Sequence, residues 1–275
     1  MVRMSVSELS MCQLDLHEET EYLTAHGFDA IGLWRPKVSD IGPVAAQKLL
    51  EQSSLTVSSL LWGGGFTGGD GITFRDGIED ALEGLCTAST LGAETLVLHS
   101  GQRGGHTLGH ARRLLVDAID ELLPEAESLG VTLALKPSHP MASDGWNFLC
   151  SLQDSIDLVR RFDSSRIGLA LDLWHFADDP SLEAVLPEVV AVSAVIQLAD
   201  RTASPSDLPE RLPPGFGTLR LARLVTEVAA LGYRGFVEFD CVGEVSESLG
   251  YEGLLRHLRT VSGQWLAEPV HAVHR

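Results

Sequence analysis

The chain is short of cysteine and of positive charge, and each shortage closes off a class of function. Its four cysteines, Cys12, Cys86, Cys150 and Cys241, lie far apart and form no CxxC pair. That spacing excludes a disulfide framework or a zinc ribbon and reads as reduced, mostly buried thiols of a cytoplasmic protein. Lys and Arg number 20 against 38 Asp and Glu, a net charge of −18. A surface so negative repels phosphate backbones and argues against nucleic acid or an anionic membrane as partner. No apolar run reaches the roughly 18 residues that a membrane span needs, and MVRMSVSELSMC (1–12) lacks the apolar core of a signal peptide. Low-complexity and linker-like stretches are also missing, so nothing divides the 275 residues into two domains.

What is present is regular alternation. Short apolar runs at 4–9, 28–34, 55–62, 94–100, 131–136, 167–173, 194–199 and 236–240 read as strands. Amphipathic stretches at 15–26, 40–53, 75–91, 107–129, 151–162, 180–190, 217–231 and 247–265 read as helices. Several end at glycine, in AHG, STLG, ESLG and AALG, the left-handed stop that a helix-to-strand turn prefers. Eight such pairs imply parallel strands joined by right-handed crossovers, and at this length a single (β/α)8 barrel over residues 1–267 is the simplest closure. The alternative, an open doubly wound sheet, wants a glycine-rich turn after the first strand, and SELSMCQLDL has none. The tail EPVHAVHR (268–275) lacks either periodicity and is expected to be loose.

Strand parity then sorts side chains by face. In VTLALK (131–136) the bulky Leu133 and Leu135 point to the helices, while Thr132, Ala134 and Lys136 point into the barrel. In IGLALD (167–172) the inward set is Gly168, Ala170 and Asp172. Gln197 follows Ser193 and Val195 inward, and Glu238 lies between Phe236 and Asp240. The same count turns Trp34, Trp62 and His99 inward; the first strand is ambiguous. Each polar residue ends its strand at the C-terminal side, where barrel active sites are built. Lys136, Asp172, Gln197 and Glu238 should therefore form a ring with His99 beside it, and the competing reading is a self-satisfied ion cluster that only locks the barrel.

GFDAIGLW (27–34), LGAETLVLHSG (91–101), GVTLALKPSHP (130–140), GLALDLWHFA (168–177), VIQLADR (195–201), PPGFGTL (213–219) and GYRGFVEFD (232–240) together resemble the xylose-isomerase-like sugar phosphate isomerases and epimerases. The resemblance implies a divalent metal held by a glutamate, an aspartate, a histidine and a glutamate from the last four strands. The two glutamates would also move protons at an enediolate. Asp172 and Glu238 match two of those positions, and His175 matches one that contacts substrate. The other two depart, with Lys136 for the first glutamate and Gln197 for the histidine. A lysine ammonium repels a divalent ion, and an amide oxygen is a weak ligand for a transition metal. If a metal bound at all, Asp172, Glu238 and Gln197 would be left to hold it. The expectation is no metal and no other cofactor, with the Lys136 ammonium standing where the ion stood.

The chemistry that remains is acid–base. Lys136 would hold a substrate carbonyl oxygen as an enolate forms, Glu238 or His175 would take the α-proton, and Asp172 would steady Lys136. Losing the second glutamate removes two-base epimerisation and favours a single-base isomerisation of a small carbonyl or polyhydroxylated metabolite. A lyase, dehydratase or cyclase using the same residues is the second reading, and a non-catalytic binding subunit the third. Candidate substrate contacts are Gln197, His99, Trp34, Trp62, His139, Arg201 and Arg103, with Arg35 as a further anion-binding arginine and Trp174 in an apolar wall. WGGGFTGGDG (62–71) and GQRGG (101–105) read as a lid; the alternative is an anion cradle with Arg103, for which their spacing is not that of a P-loop. Barrels of this kind commonly pair, so a homodimer or homotetramer is expected.

Overall fold

The computed structural model describes residues 2–69, 71–142, 146–202 and 210–267. The expected loose tail (268–275) and Asp70 of the expected lid lie outside the described residues. Eight strands form the barrel: β1 (Arg3–Ser7), β2 (Ala30–Trp34), β3 (Thr56–Gly64), β4 (Thr95–His99), β5 (Thr132–Leu135), β6 (Ile167–Asp172), β7 (Ser193–Leu198) and β8 (Phe236–Phe239). Each pairs in parallel with the next and β1 closes on β8, so the (β/α)8 architecture holds. The helices are α1 (Leu16–Ala25), α2 (Arg35–Ile41), α3 (Pro43–Ser53), α4 (Phe74–Leu91), α5 (Leu108–Leu129), α6 (Leu152–Arg160), α7 (Leu173–Phe176), α8 (Pro180–Ala191), α9 (Leu221–Ala230) and α10 (Glu244–Ala267). No described helix is long and apolar enough to cross a membrane.

Local chemistry sets the helix boundaries. Asp15 and Thr73 open α1 and α4 with reciprocal capping boxes to Glu18 and Asp76. Gly27, Gly92, Gly130 and Gly232 take positive φ after α1, α4, α5 and α9, the stops that AHG, STLG, ESLG and AALG imply. The stretch 40–53 is two helices, because Gly42 turns at φ 80 and Pro43 restarts the chain without an N–H. The helix expected from 217 begins at Leu221, because residues 215–219 wrap the Asp200 carboxylate, which accepts from Gly215 N and Leu219 N at 2.9 Å each. The last helix begins at Glu244 and breaks at Gly250.

Two apolar layers follow from strand alternation. Leu133, Leu135, Leu169, Leu171, Ile196 and Val237 join the large cluster beneath the helices. Inside the barrel a small cluster of Ala30, Leu61, Val97, Ala134, Ala170, Val195 and Phe236 fills the interior. Two residues further along β4, β6, β7 and β8, the inward positions become His99, Asp172, Gln197 and Glu238, and Lys136 follows β5. Each fully buried Leu or Ile contributes about 2 kcal/mol by leaving water, so the apolar layers can carry a polar layer stacked on top.

Three expectations need correction. The first strand ends at Ser7, because Glu8 begins a 3-10 turn and its buried carboxylate accepts from Trp34 N. Glu8 shares a buried cluster with Glu19 and Lys37, whose Nζ also donates to Met11 O at 2.9 Å. The cysteines are not mostly buried: Cys12 and Cys86 are exposed, Cys150 is half-buried, and only Cys241 is in the core. The lid is not free at its start either, because β3 runs on to Gly64 while Phe66 and Thr67 are buried. Thr67 Oγ1 donates to Gln102 O at 2.6 Å, and the His106 ring lies 2.9 Å from Thr67 O.

Gly64 permits that approach. It sits at φ 126, and a Cβ there would lie 2.1 Å from His99 O. Gly64→Ala should cost about 2–4 kcal/mol in urea unfolding, through both clash and φ. Gly105→Ala, where a Cβ meets open space, should change stability little. Equal midpoints for the two variants would contradict the packing described.

Candidate active site

The polar layer is held by register. Asp172 pairs with Gln197 across β6–β7, Gln197 with Glu238 across β7–β8, and Glu238 with Ser5 across β8–β1. Adjacent inward side chains therefore touch in sequence. Lys136 Nζ stands 2.9 Å from Asp172 Oδ2 and donates to Gln197 Oε1 at 2.7 Å. Gln197 turns its Nε2 to Glu238 Oε1 at 2.7 Å. Ser58 and Ser59 donate to Glu238 Oε2 at 2.6 and 2.9 Å, and Ser5 lies 2.7 Å from Ser58. Lys136 is 7% exposed and the other three have no exposure. Gly32 leaves room for the acid, since a Cβ there would lie 2.1 Å from Glu238 Oε2.

Arg211 is a central residue that sequence reasoning missed. Its Nη2 donates to both oxygens of Asp172, at 3.0 and 2.9 Å, and lies 3.2 Å from Asp240 Oδ2. Its Nε donates to Asp240 O at 2.9 Å, and its guanidinium lies 5.2 Å from the Trp174 ring centre. It comes from the segment after β7, where strand parity has no say. The arginine just ahead of PPGFGTL was the available signal.

The two acids differ sharply in character. Burial pushes the Asp172 carboxyl up, but the Arg211 guanidinium and Lys136 ammonium outweigh it and hold Asp172 well below the usual carboxylate range. Asp172 also caps α7 through Trp174 N at 3.0 Å. Glu238 touches no cation. Burial raises its carboxyl above the ordinary value, against the pull of Ser58, Gln197 and Ser59. Both nearby histidines are lowered to about 3, first by burial and then, for His99, by Lys136. Neutral His175 accepts at Nδ1 from His139 N at 3.3 Å, which leaves the proton on Nε2, 3.9 Å from Asp172 Oδ2.

The remaining candidates divide by position. Trp34, Trp62 and His99 line a cavity of about 640 Å³ at the ends of β2, β3 and β4, together with Arg35 and the exposed Trp146. Trp146 was another omission, since it lies in a long loop without periodicity. Arg35 donates to Trp62 O at 2.9 Å and Asp80 Oδ2 at 2.8 Å. Arg201 pairs with Asp178 and donates to Trp174 O at 2.7 Å. Arg103 is exposed and does not line the cavity. Trp174 is buried beneath Arg211 and does not form the apolar wall. Another hollow, about 740 Å³, lies at the N-terminal strand ends among Glu94, Thr132, Arg166 and Ser193. That end of such barrels serves stability, and the ring is at the other.

A closed parallel barrel with a polar ring at the C-terminal strand ends defines the class: a (β/α)8 protein with an enzyme-like mouth. The chain belongs to the xylose isomerase-like TIM barrel family, whose model matches residues 21–261. No curated protein is matched by sequence. Among solved structures it is similar to protein SMc04130 from Sinorhizobium meliloti 1021, at 25% identity and TM-score 0.80, covering 96% of this chain and 95% of that one. It is also similar in fold to the IolI protein with a bound zinc atom, at 18% identity, TM-score 0.81 and 97% and 98% coverage. D-psicose 3-epimerase from Clostridium cellulolyticum H10, in complex with D-tagatose, matches at 14% identity, TM-score 0.76 and 96% and 98% coverage.

The family implies a metal, and the donors here do not fit one. Among the described residues no three His, Cys, Asp or Glu side chains converge as a ligand set. Lys136 Nζ and Arg211 Nη2 take up the oxygens of Asp172, and Gln197 spends its carbonyl on Lys136.

Asp172 titrates with a definite sign. Its folded value lies below the unfolded value of about 3.9, so its stabilisation is complete above that pH and is lost as pH falls further. Asp172→Asn leaves two buried cations facing an amide and should cost about 3–5 kcal/mol at neutral pH. Urea midpoints followed from pH 6 down to 2 should fall less steeply in this variant than in the parent. Parallel acid limbs would count against the assignment.

Proposed function

We propose that this protein is an isomerase of the sugar isomerase/epimerase type. It acts on a small carbonyl or polyhydroxylated metabolite through an enolate, with the Lys136 ammonium doing the electrostatic work of a metal. The observation that carries the reading is Lys136 Nζ, almost fully buried and fixed between Asp172 Oδ2 and Gln197 Oε1. An ammonium at that point can donate to a substrate carbonyl oxygen and stabilise the charge that builds there as the α-proton leaves. In a pocket shielded from water such an interaction is far stronger than at a surface.

Glu238 is the base in this reading. Asp172 is bound to two cations and has little basicity, whereas Glu238 has none beside it and its carboxyl is raised by burial. Protons move between such a carboxylate and carbon most readily when its pKa approaches the working pH. His175 has its Nδ1 engaged and its proton on Nε2, which suits donation to a substrate hydroxyl more than abstraction. One base on one face favours transfer of hydrogen between adjacent carbons. Glu238 takes the α-proton and the carbonyl π electrons move onto the oxygen held by Lys136, giving an enediolate. The α-hydroxyl proton passes to that oxygen, Glu238 returns a proton, in part exchanged with solvent, to the former carbonyl carbon, and the carbonyl re-forms at the α-carbon. Gln197 screens Glu238, so its side chain must yield as substrate enters. Nothing in the ring favours the lyase reading.

The test is hydrogen exchange at the α-carbon in D2O, followed by NMR across a panel of α-hydroxy ketones and ketoses that includes D-tagatose and 2-hydroxyacetophenone. Exchange should survive a strong chelator and fall about a thousandfold in Lys136→Met and in Glu238→Gln. The purified protein should hold much less than one divalent ion per chain. A tightly held stoichiometric ion, or undiminished exchange in Lys136→Met, would reject the mechanism.

A further inference from the structure

We infer that the substrate carries a flat, neutral, apolar ring beside its reacting carbonyl, and that the tryptophan-lined cavity next to Lys136 receives that ring. The inference deepens the proposed function and rests on it for the identity of the reacting end.

Continuity comes from strand register. Leu98 pairs with Leu135, so the next residues, His99 and Lys136, follow side by side at the mouth. Lys136 N donates to Leu98 O at 2.9 Å, and Asn147 Nδ2 reaches both Lys136 O and, at 3.4 Å, His99 Nδ1. His99 therefore forms the wall shared by the charged ring and the cavity. Beyond it the lining is aromatic. Trp62 and His99 meet edge to face at 5.5 Å, and Trp146 is tilted against both, at 6.2 and 6.1 Å. None of these pairs is stacked face to face, which leaves ring faces available to a flat guest. Trp146 is 64% exposed, so its indole is open to a guest.

The described residues there offer little to a phosphate or carboxylate. The glycine segment after β3 resembles an anion loop in composition, but four of its amides already have backbone partners. Gly65 N donates to His99 O, Gly68 N to Gly65 O, Gly69 N to Ile72 O, and Ile72 N to Gly69 O, at 2.8–3.1 Å. Gly101 N is taken by Trp146 O at 3.1 Å. Arg35 is the one cation among the described lining residues, and Asp80 and Trp62 O engage it. A cavity of about 640 Å³ is of the size that holds a drug-sized ligand. A neutral aryl or fused-ring group meets these walls without stranding a charge, whereas a phosphorylated sugar would bring an anion that meets no unengaged cation among the described lining residues. The unpartnered Trp62 Nε1 suits a neutral acceptor on the guest.

The full-length protein is titrated with 2-hydroxyacetophenone, an aryl α-hydroxy ketone, and with dihydroxyacetone and dihydroxyacetone phosphate, which keep the reacting group without the ring. Affinity is read by calorimetry. The aryl ketone should bind at least about tenfold more tightly than either partner, and Trp146→Ala, an exposed position, should weaken it about tenfold while leaving dihydroxyacetone unchanged. Tighter binding of the phosphate, or aryl affinity indifferent to Trp146→Ala, overturns the inference. Exchange of the α-proton of bound 2-hydroxyacetophenone is read separately. Tight, Trp146-dependent binding without exchange sinks the enolate mechanism and upholds the ring site; exchange with no preference for the ring does the reverse.

Discussion

An ammonium group inside a barrel must be matched, and most of the mouth of this protein is arranged to match the one on Lys136. Taking such an ion out of water costs several kcal/mol even after the surroundings relax. Asp172 supplies the opposite charge at 2.9 Å and Gln197 an acceptor at 2.7 Å. Asp172 in turn is shared with Arg211, and Arg211 with Asp240. Each partner is itself buried, so removal of one strands the next. The cluster exists only because neighbouring strands hold Asp172, Gln197 and Glu238 at one level. A slip of a single residue on any of these strands would turn its polar group toward the helices.

Gln197 has a part that no apolar residue would serve. Its amide accepts from Lys136 and donates to Glu238, which lets a cation and an acid share one pocket without pairing directly. A direct pair would pull the Glu238 carboxyl down, as happens to Asp172. With the amide between them Glu238 stays raised and Asp172 stays low. Two carboxylates two strands apart thus differ in character, one holding charge in place and the other able to move a proton. Separation of that kind is how environment assigns acid and base within a single site.

The architecture and the ring were legible in the sequence for the same reason. A strand has a strict period of two, and both the apolar layer and the polar residues above it obey that period, so Ala134 and Lys136, or Ala170 and Asp172, announce each other. Where periodicity ends, so does legibility. Arg211 and Trp146 enter from loops whose paths are set by tertiary contacts, such as the Asp200 carboxylate gathering residues 215–219 or Asn147 tying its loop to Lys136 O. The same limit explains Trp174. It follows β6 directly and looks like a wall residue, yet α7 begins at Leu173 and turns the indole beneath Arg211, with Nε1 donating to Glu210 O at 3.1 Å. The glycines after β3 misled in another way. Composition suggested an open loop, while Gly64 lets the backbone lie against His99 O and carries the strand two residues past Trp62.

The division of the mouth into a charged half and an aromatic half follows from where the cations are. Lys136 and Arg211 stand on the β5–β8 side with the three acids, and that side is nearly closed to solvent. The β2–β4 side holds Trp34, Trp62 and Trp146, and its lone arginine is engaged by Asp80. His99 sits on the seam. Its imidazole is kept neutral by burial and by the adjacent ammonium, so it adds no charge to either half. A substrate that spans the seam would present a polar, reacting end to Lys136 and an uncharged face to the indoles. A metal at the Lys136 position would have needed a third acid or an imidazole at Gln197. The ring instead holds the ammonium of Lys136 between Asp172 and Gln197, and in the proposed reading that leaves the aromatic half for recognition.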